Sequence, residues 1–556
     1  MMEENPENKA SFNEFRRWLE RTKGDKYHEK LVEIKDNPDE ISDAFNGKLT
    51  LTSSGLLGLI GPGTNRINKY VIRRTTQGIS DYLKREHKPV SVVIGYDSRR
   101  GSRYFAYETA SVLRGNLIKP YLFRELVPSS LLSYAVKYLE CDLGIMITAS
   151  QNHKIYNGYR VYNSEGYLIS EETAAEMQKE IDKNDYFAPD IFMDNKSGIY
   201  QVDDQVARDF CDRIASSVKL PDPTIYDGFR VIYSPLYGAG KACFTDVMRR
   251  SGIRYELVSD QADPDKEFPT CPVPNPEKIM AYNESFKWLD DHGGDIIITH
   301  DADAGRAGCA IEHDGMRTVL TGNQTGLLLL DYLCHTRPPR EGQVMIKSIA
   351  ASPLAVKIAE KNGLKVVTSV TGFRNAGSII DSLEKEGKGD DFYFAFEESD
   401  GYLIDPFIKD KDGISAALYI CEMAAFHKKR GKNLIERLYE LYNEYGICVD
   451  KTRNYFFSGA SGIKTISSIM NYFRNNVTQT IGGRNIVKKT DYMAAEDGPA
   501  VDCVEFDLDD SSKLIIKPSD TEAIMKIYSF ETCDFTEVEK DIADIIDRFK
   551  SVMKDN

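Results

Sequence analysis

No C-x-x-C pair and no zinc-type spacing occurs in this chain, although it carries ten cysteines and eight histidines. That excludes a structural zinc fold and points to reduced, mostly buried thiols, as expected of a cytoplasmic protein. No stretch approaches the roughly 20 apolar residues of a membrane span, so no membrane partner is expected. The opening, MMEENPENKASFNEF, is charged and has no apolar h-region, and no signal peptide is expected. Low-complexity tracts are absent. Positive charge is in deficit: 71 Lys and Arg against 86 Asp and Glu give a formal net charge of -15. Phosphate backbones select for Lys and Arg, so nucleic acid is not the expected partner. A phosphorylated small molecule needs only a local cluster of donors and stays open.

What is present is an ordinary globular balance, 41% hydrophobic and 28% charged, sufficient for several buried cores. At roughly 150 residues per domain, the length predicts about four domains. The first fifty residues read as helices, with Phe12, Phe15, Trp18 and Leu19 at helical spacing and a second run through Leu31, Ile34 and Ile41. A Gly-rich turn, SSGLLGLIGPGTNRIN, precedes a helical stretch ending near Lys84. Short β-branched runs then alternate with helix-length patterns: PVSVVIGYD, DLGIMITAS, FRVIYSPL, GDIIITHDAD, GQVMIKSIA and LKVVTSV. Strands alternating with helices predict α/β domains with largely parallel pairing. The last hundred residues change character, with DCVEFDL and KLIIKPSD as strands and a closing helix from Thr536 to Met553, a smaller α+β domain.

Four segments carry the candidate chemistry. In Thr148-Ala149-Ser150-Gln151-Asn152-His153-Lys154, followed by Asn157-Gly158-Tyr159-Arg160-Val161-Tyr162, a serine closes a buried strand at its carboxyl edge, where α/β proteins place ligands. Asn152 and the loop amides are placed to orient a phosphoryl oxygen there, and Lys154 to neutralise it. His300-Asp301-Ala302-Asp303-Ala304-Gly305-Arg306 is an acidic turn that follows another strand. Phe396-Glu397-Glu398-Ser399-Asp400-Gly401-Tyr402 joins carboxylates to a hydroxyl, with Thr371-Gly372-Phe373-Arg374 upstream. In Lys517-Pro518-Ser519-Asp520-Thr521-Glu522, hydroxyls and backbone amides at a turn make an anion-binding nest.

Together these segments resemble the α-D-phosphohexomutases of the phosphoglucomutase branch (phosphoglucomutase and phosphopentomutase-like), whose loops read T-A-S-H-N-P-K, D-x-D-x-D-R, E-E-S-x-G and R-P-S-G-T-E. The likeness runs from Trp18 to the final helix through IGYDSRRGSRYFA, PVPNPE and TGNQTGLLLLDYL. It implies an α/β fold of four domains around a central cleft: three related sandwich-like α/β domains with mixed sheets, then the smaller α+β domain, with expected bounds 1–200, 201–312, 313–445 and 446–556. It also implies a phosphoserine relay on a hexose phosphate of the glucose 1-phosphate/glucose 6-phosphate type. Ser150, Asn152, Lys154 and Arg306 would be catalytic. Mg²⁺ would be gripped by Ser150, Asp301 and Asp303. Arg374, Glu397, Ser399, Lys517, Ser519 and Thr521 would bind substrate, and glucose 1,6-bisphosphate would be the activator.

The departures concentrate on the same loops. Leu57 replaces an arginine of the amino-terminal loop, Gln151 a histidine, Gly305 the third aspartate and Asp520 a glycine. With two carboxylates rather than three, Mg²⁺ is expected to be weakly held. Asp520 would repel a phosphate by about 1 to 4 kcal/mol per unit charge at roughly 4 Å. Two readings stay open: a retuned mutase, or a phosphosugar-binding or regulatory protein (or one with a partial activity on sugar bisphosphates) that kept the fold and lost the relay.

Overall fold

The computed structural model describes residues 6–86, 88–188, 198–218, 223–457, 459–494, 501–519 and 523–552. Helices Pro6–Arg21, Lys26–Ile34 and Pro38–Phe45 come first. Asp25 and Asn37 cap the second and third, and Phe15, Trp18, Leu31, Ile41 and Phe45 bury into a cluster of their own. Trp18 is fully buried there, edge-on to Tyr70 and Phe187.

Four sheets follow. The first has six strands in the order Leu56–Leu59, Tyr156–Tyr162, Leu143–Ile147, Ser91–Tyr96, Lys119–Leu122 and Tyr200–Gln201. The last four run parallel to one another, and Tyr156–Tyr162 lies antiparallel to both its neighbours. Every residue of Leu143–Ile147 is buried, which explains its unbroken apolar run: a strand covered on both faces has no polar alternation. The Leu56–Leu59 strand lies inside the segment that reads as a Gly-rich turn. Pairing with Tyr156–Tyr162, Leu57 opposite Gly158, holds it extended, a tertiary contact that local composition does not carry.

The second sheet, ordered Met316–Val319, Ala307–His313, Ile296–His300, Arg230–Ser234, Arg254–Leu257, is again mixed. So is the third, with Lys365–Ser369, Val344–Ser348, Phe392–Glu397 and Gly401–Leu403. The fourth is antiparallel throughout, running Val449–Phe456, Ile524–Glu531, Lys513–Pro518, Val504–Leu508, Arg484–Asp491, Thr480–Ile481. Helices Gly459–Asn475 and Thr536–Val552 share its core. The architecture is thus three α/β units with mixed sheets and a fourth, sheet-rich unit. Helix Gly413–Lys429 is buried from Gly413 to His427 and is largely apolar, as a helix enclosed by protein is, with the buried carboxylate of Glu422 accepting from Tyr332. Among the described residues, no helix is long and apolar enough to cross a membrane.

The first and third units are clasped by an ion cluster. Lys409, almost fully buried, donates to Glu165 at 2.9 Å and Asp381 at 2.6 Å and lies 2.8 Å from Glu384. These three carboxylates are the one acidic group among the described residues grouped closely enough to hold a metal, and the lysine ammonium already fills it. Hydrogen bonding from Lys409 lowers the Glu165 pKa, and Lys385 and Lys409 outweigh burial to lower that of Asp381. Depressed carboxylates contribute stability that is present above their unfolded values and is lost as the pH falls through the folded ones. The clasp is therefore expected to weaken below about pH 4. Lys409→Met, which strands three acids, should cost about 1–3 kcal/mol, reduced by the partial exposure of Glu165 and Glu384. Urea unfolding at pH 7 and pH 4 checks this; equal losses at both would contradict it.

Candidate active site

Each α/β unit delivers a loop from the carboxyl end of a buried strand. Thr148 and Ser150 leave the strand Leu143–Ile147, and Ser150 adopts φ +52°, a left-handed conformation that costs a non-glycine residue about 1–2 kcal/mol. The surroundings enforce it. Its N–H donates to Thr148 Oγ1 at 2.8 Å, and its carbonyl accepts from Arg99 Nη2 at 2.5 Å. Arg99 is buried and donates also to the carbonyls of Asn152, His153 and Tyr156. One guanidinium thus moulds the whole loop. Asp97 holds Arg99 at 3.4 Å and takes hydrogen bonds from Ser102 and Thr148.

Ser150 Oγ faces the second unit. It donates to Asp301 Oδ2 at 2.5 Å and accepts from Arg306 Nη1 at 2.7 Å. The loop carrying Asp301 turns on Ala304, φ +47°, and is braced from below by Gly238, where a Cβ would lie 2.7 Å from the Ala302 carbonyl. Glycine is required there. Asp303 accepts from Ser129 Oγ at 2.7 Å and Arg160 Nη1 at 3.1 Å. Burial and the charge of Asp303 raise the Asp301 pKa above the usual carboxylate range. Asp303 is equally buried, but Arg160 and the Ser129 hydroxyl hold it below that range.

Arg306 bridges to the third unit, donating from Nε to the Ser399 carbonyl at 2.9 Å and lying 3.7 Å from Glu397. Glu398 accepts from Ser348 Oγ at 2.6 Å, and the Ser399 hydroxyl donates to Glu277 of the second unit. Lys517, from the fourth sheet, donates to Thr371 Oγ1 at 2.7 Å. These groups line a cavity of about 220 Å³ reached by all four units, from Leu57 and Ser150 through Arg306 and Glu397 to Lys517 and Ser519. A second space of about 480 Å³ shares several of its walls and adds Arg374 and Lys411.

Of the residues expected at the site, Ser150, Asn152, Arg306, Glu397, Ser399, Lys517 and Ser519 line the first cavity and Arg374 the second. Asp301 and Asp303 stand behind Ser150, within reach of it and of Arg306 and Arg160. Lys154 is a correction. Its Nζ donates to the Glu267 carbonyl at 2.9 Å and its N–H to the Pro272 carbonyl at 2.8 Å, so it pins the serine loop to the second unit and does not line the cleft. Thr521 and Asp520 lie outside the described residues. Arg99 and Arg160 were missed as site groups, as were Lys411 and Lys526; the signal for the first was the D-S-R within IGYDSRRGSRYFA.

Residues 49–187, 208–315 and 321–445 match domains I, II and III of the phosphoglucomutase/phosphomannomutase family. A phosphoglucomutase of Staphylococcus epidermidis is 30% identical over 520 residues, 90% of this chain and 94% of its own length. One from Staphylococcus aureus is 31% identical over 90% of this chain and 93% of its own. The chain belongs to this family. A Burkholderia thailandensis phosphoglucomutase/phosphomannomutase family protein shares the fold with a TM-score of 0.68 at 17% identity, over 90% of this chain and 97% of its own. The Paramecium phosphoglucomutase parafusin, in its open form, gives 0.66 at 17%, over 91% and 96%.

Phosphohexomutases generally use Mg²⁺, and the donor set here can be tested against it. Mg²⁺ asks for roughly six oxygens in an octahedron. Asp301 Oδ1 is taken by the Arg306 N–H and Oδ2 by Ser150 and Arg306. Asp303 Oδ2 is taken by Ser129 and Arg160. Only Asp303 Oδ1 is buried without a partner, and the third carboxylate is Gly305. With two carboxylates and no phosphoryl oxygen, this set does not fit an Mg²⁺ held by the unphosphorylated protein alone.

Proposed function

We propose that this phosphohexomutase-family chain moves a phosphoryl group between two oxygens of a hexose phosphate through Ser150. The observation that carries the reading is the seat of Ser150 Oγ, held between Asp301 Oδ2 and Arg306 Nη1 at the wall of a cavity reached by all four units. Such a seat favours phosphoryl transfer, where positioning and charge stabilisation supply most of the acceleration. Phosphorylated Ser150 gives its phosphoryl to a free sugar hydroxyl: the bond from phosphorus to Ser150 Oγ breaks and the new bond forms to the sugar oxygen. The hydroxyl proton ends on Ser150. The resulting bisphosphate turns over in the cleft, and Ser150 recovers the other phosphoryl. Asp301, held above the usual carboxylate range by burial and Asp303, lies on the hydrogen bond along which the Ser150 proton leaves and returns. Glu397 and Ser399 read the sugar hydroxyls, while Arg374, Lys517 and Ser519 receive the distal phosphate.

The test is a coupled assay of glucose 1-phosphate to glucose 6-phosphate with a trace of glucose 1,6-bisphosphate. Turnover should require the bisphosphate and fall below a typical rate on the order of 10 s⁻¹. A charge-stabilising group absent from a working site typically costs roughly 2.7–4 kcal/mol of barrier, and Leu57 stands where the family keeps an arginine. The second reading, a phosphosugar-binding protein, is favoured by Leu57 and Gly305; it gains if sugar phosphates bind and no turnover follows.

A further inference from the structure

We infer that in this chain fixed cationic side chains replace the divalent ion, so that phosphoryl transfer to and from Ser150 runs without Mg²⁺. The inference rests on the reading of Ser150 as the phosphoryl carrier.

Three observations lead to it. Protein donors already engage three of the four oxygens of Asp301 and Asp303, and only Asp303 Oδ1 of the four has no partner. Next, two guanidinium groups converge on the same wall. Arg306 touches Ser150 Oγ at 2.7 Å, Arg160 touches Asp303 at 3.1 Å, and both line the cavity beside Ser150. A guanidinium fork matches a phosphoryl group in geometry as well as charge.

The third observation is the position of Gly305. A Cβ built there would lie 3.7 Å from Asp303 Oδ1 and 3.6 Å from Cε of Lys411. The place from which a third carboxylate would project is therefore flanked by a lysine side chain. That lysine is nearly buried, lines the second cavity, and has Asp410 at 3.5 Å as its acidic neighbour, too long for a tight ion pair. Its loop is fixed on both sides. Lys409 is locked in the acidic clasp, and Asp410 accepts from Tyr162 at 3.0 Å, two residues from Arg160. Asp303 thus faces Arg160, Asp301 faces Arg306, and Glu397 faces Arg306 and Lys411. A third carboxylate would upset that match and call for a metal; a glycine does not.

The step balances without a co-reactant. Ser150 Oγ attacks a phosphorus of the bisphosphate, the bond from that phosphorus to the sugar oxygen breaks, and the serine proton ends on the sugar hydroxyl.

Full-length protein stripped with EDTA is incubated with glucose 1,6-bisphosphate, in EDTA or with excess MgCl₂, and intact mass follows phosphoryl uptake. Equal extents and initial rates within about threefold are expected, with no binding heat when MgCl₂ is titrated into the unphosphorylated protein. Uptake only with MgCl₂ overturns the inference and leaves Ser150 as carrier. Uptake in neither medium overturns the Ser150 reading, and the inference with it. Gly305→Asp provides the second arm, because a Cβ there meets its neighbours only at ordinary contact distance. Its carboxylate should neutralise Lys411 and complete a metal site, so uptake in EDTA should drop at least about tenfold, with MgCl₂ restoring it and giving a binding heat. A Gly305→Asp protein that takes up phosphoryl equally well in both media contradicts the charge-matching argument.

Discussion

Replacing Ser150 with alanine is expected to lower turnover by on the order of 10⁶-fold, the scale on which an enzyme loses rate with its nucleophile, and to leave stability within about 1 kcal/mol. The asymmetry follows from the contacts. Ser150 Oγ meets Asp301 and Arg306, and those two also meet each other at 3.3 Å. When the hydroxyl goes, neither charge is stranded. The left-handed backbone is held by Arg99 and Thr148 through main-chain atoms that alanine retains. Bisphosphate-dependent turnover and a urea midpoint, measured on both proteins, check the two halves. Residual turnover within tenfold of the parent would move the phosphoryl carrier elsewhere.

Arg99→Met is expected to do the reverse, damaging stability and chemistry together. Arg99 lies wholly inside the protein, paired with Asp97 and donating to four carbonyls of the serine loop. Removing one partner of a buried pair leaves the other charge uncompensated, at about 3–5 kcal/mol. The loop loses its mould at the same time, so Ser150 no longer meets Asp301 and Arg306 at hydrogen-bond distance. A lowered urea midpoint together with lost phosphoryl uptake is expected. Arg99→Lys, which keeps the charge but not the fork, should recover stability more than uptake. A midpoint unchanged in Arg99→Met would show that the loop is shaped without this residue.

The strand-borne loops were legible because a buried parallel strand writes an unbroken apolar run, and the polar residues at its carboxyl end then stand out. GIMIT before Ala149 and Ser150 and GDIIIT before His300 both read this way. The fourth unit was legible from DCVEFDL and KLIIKPSD. Side-chain direction was not. Lys154 sits beside Asn152 in sequence, yet it reaches across to the Glu267 carbonyl, and nothing in the spacing marks that turn. The Leu56–Leu59 strand exists through its partner a hundred residues away, and glycine-rich composition hides it. Arg99, Arg160, Lys409 and Lys411 look like ordinary surface cations in the sequence. Folding draws each of them against specific acids or carbonyls, within its own unit for Arg99 and across units for Arg160 and Lys409, and sequence spacing alone does not mark those partners.

The departures from the family pattern also look different once placed. Leu57 and Gln151 line the cavity wall next to Ser150, so the departures at these two positions fall on the cavity itself. A Cβ at Gly305 would meet Asp303 and Lys411 at ordinary contact distance, so the missing carboxylate removes a charge from between them. Retained and altered groups therefore share one cleft, and the proposed chemistry turns on whether Ser150 takes up a phosphoryl.

The most direct measurement is the intact mass of the full-length protein after incubation with glucose 1,6-bisphosphate, followed by peptide mapping. One added phosphoryl on Ser150, absent from Ser150→Ala, is the predicted result. An unchanged mass, or a phosphoryl mapped to any other residue, would contradict the account.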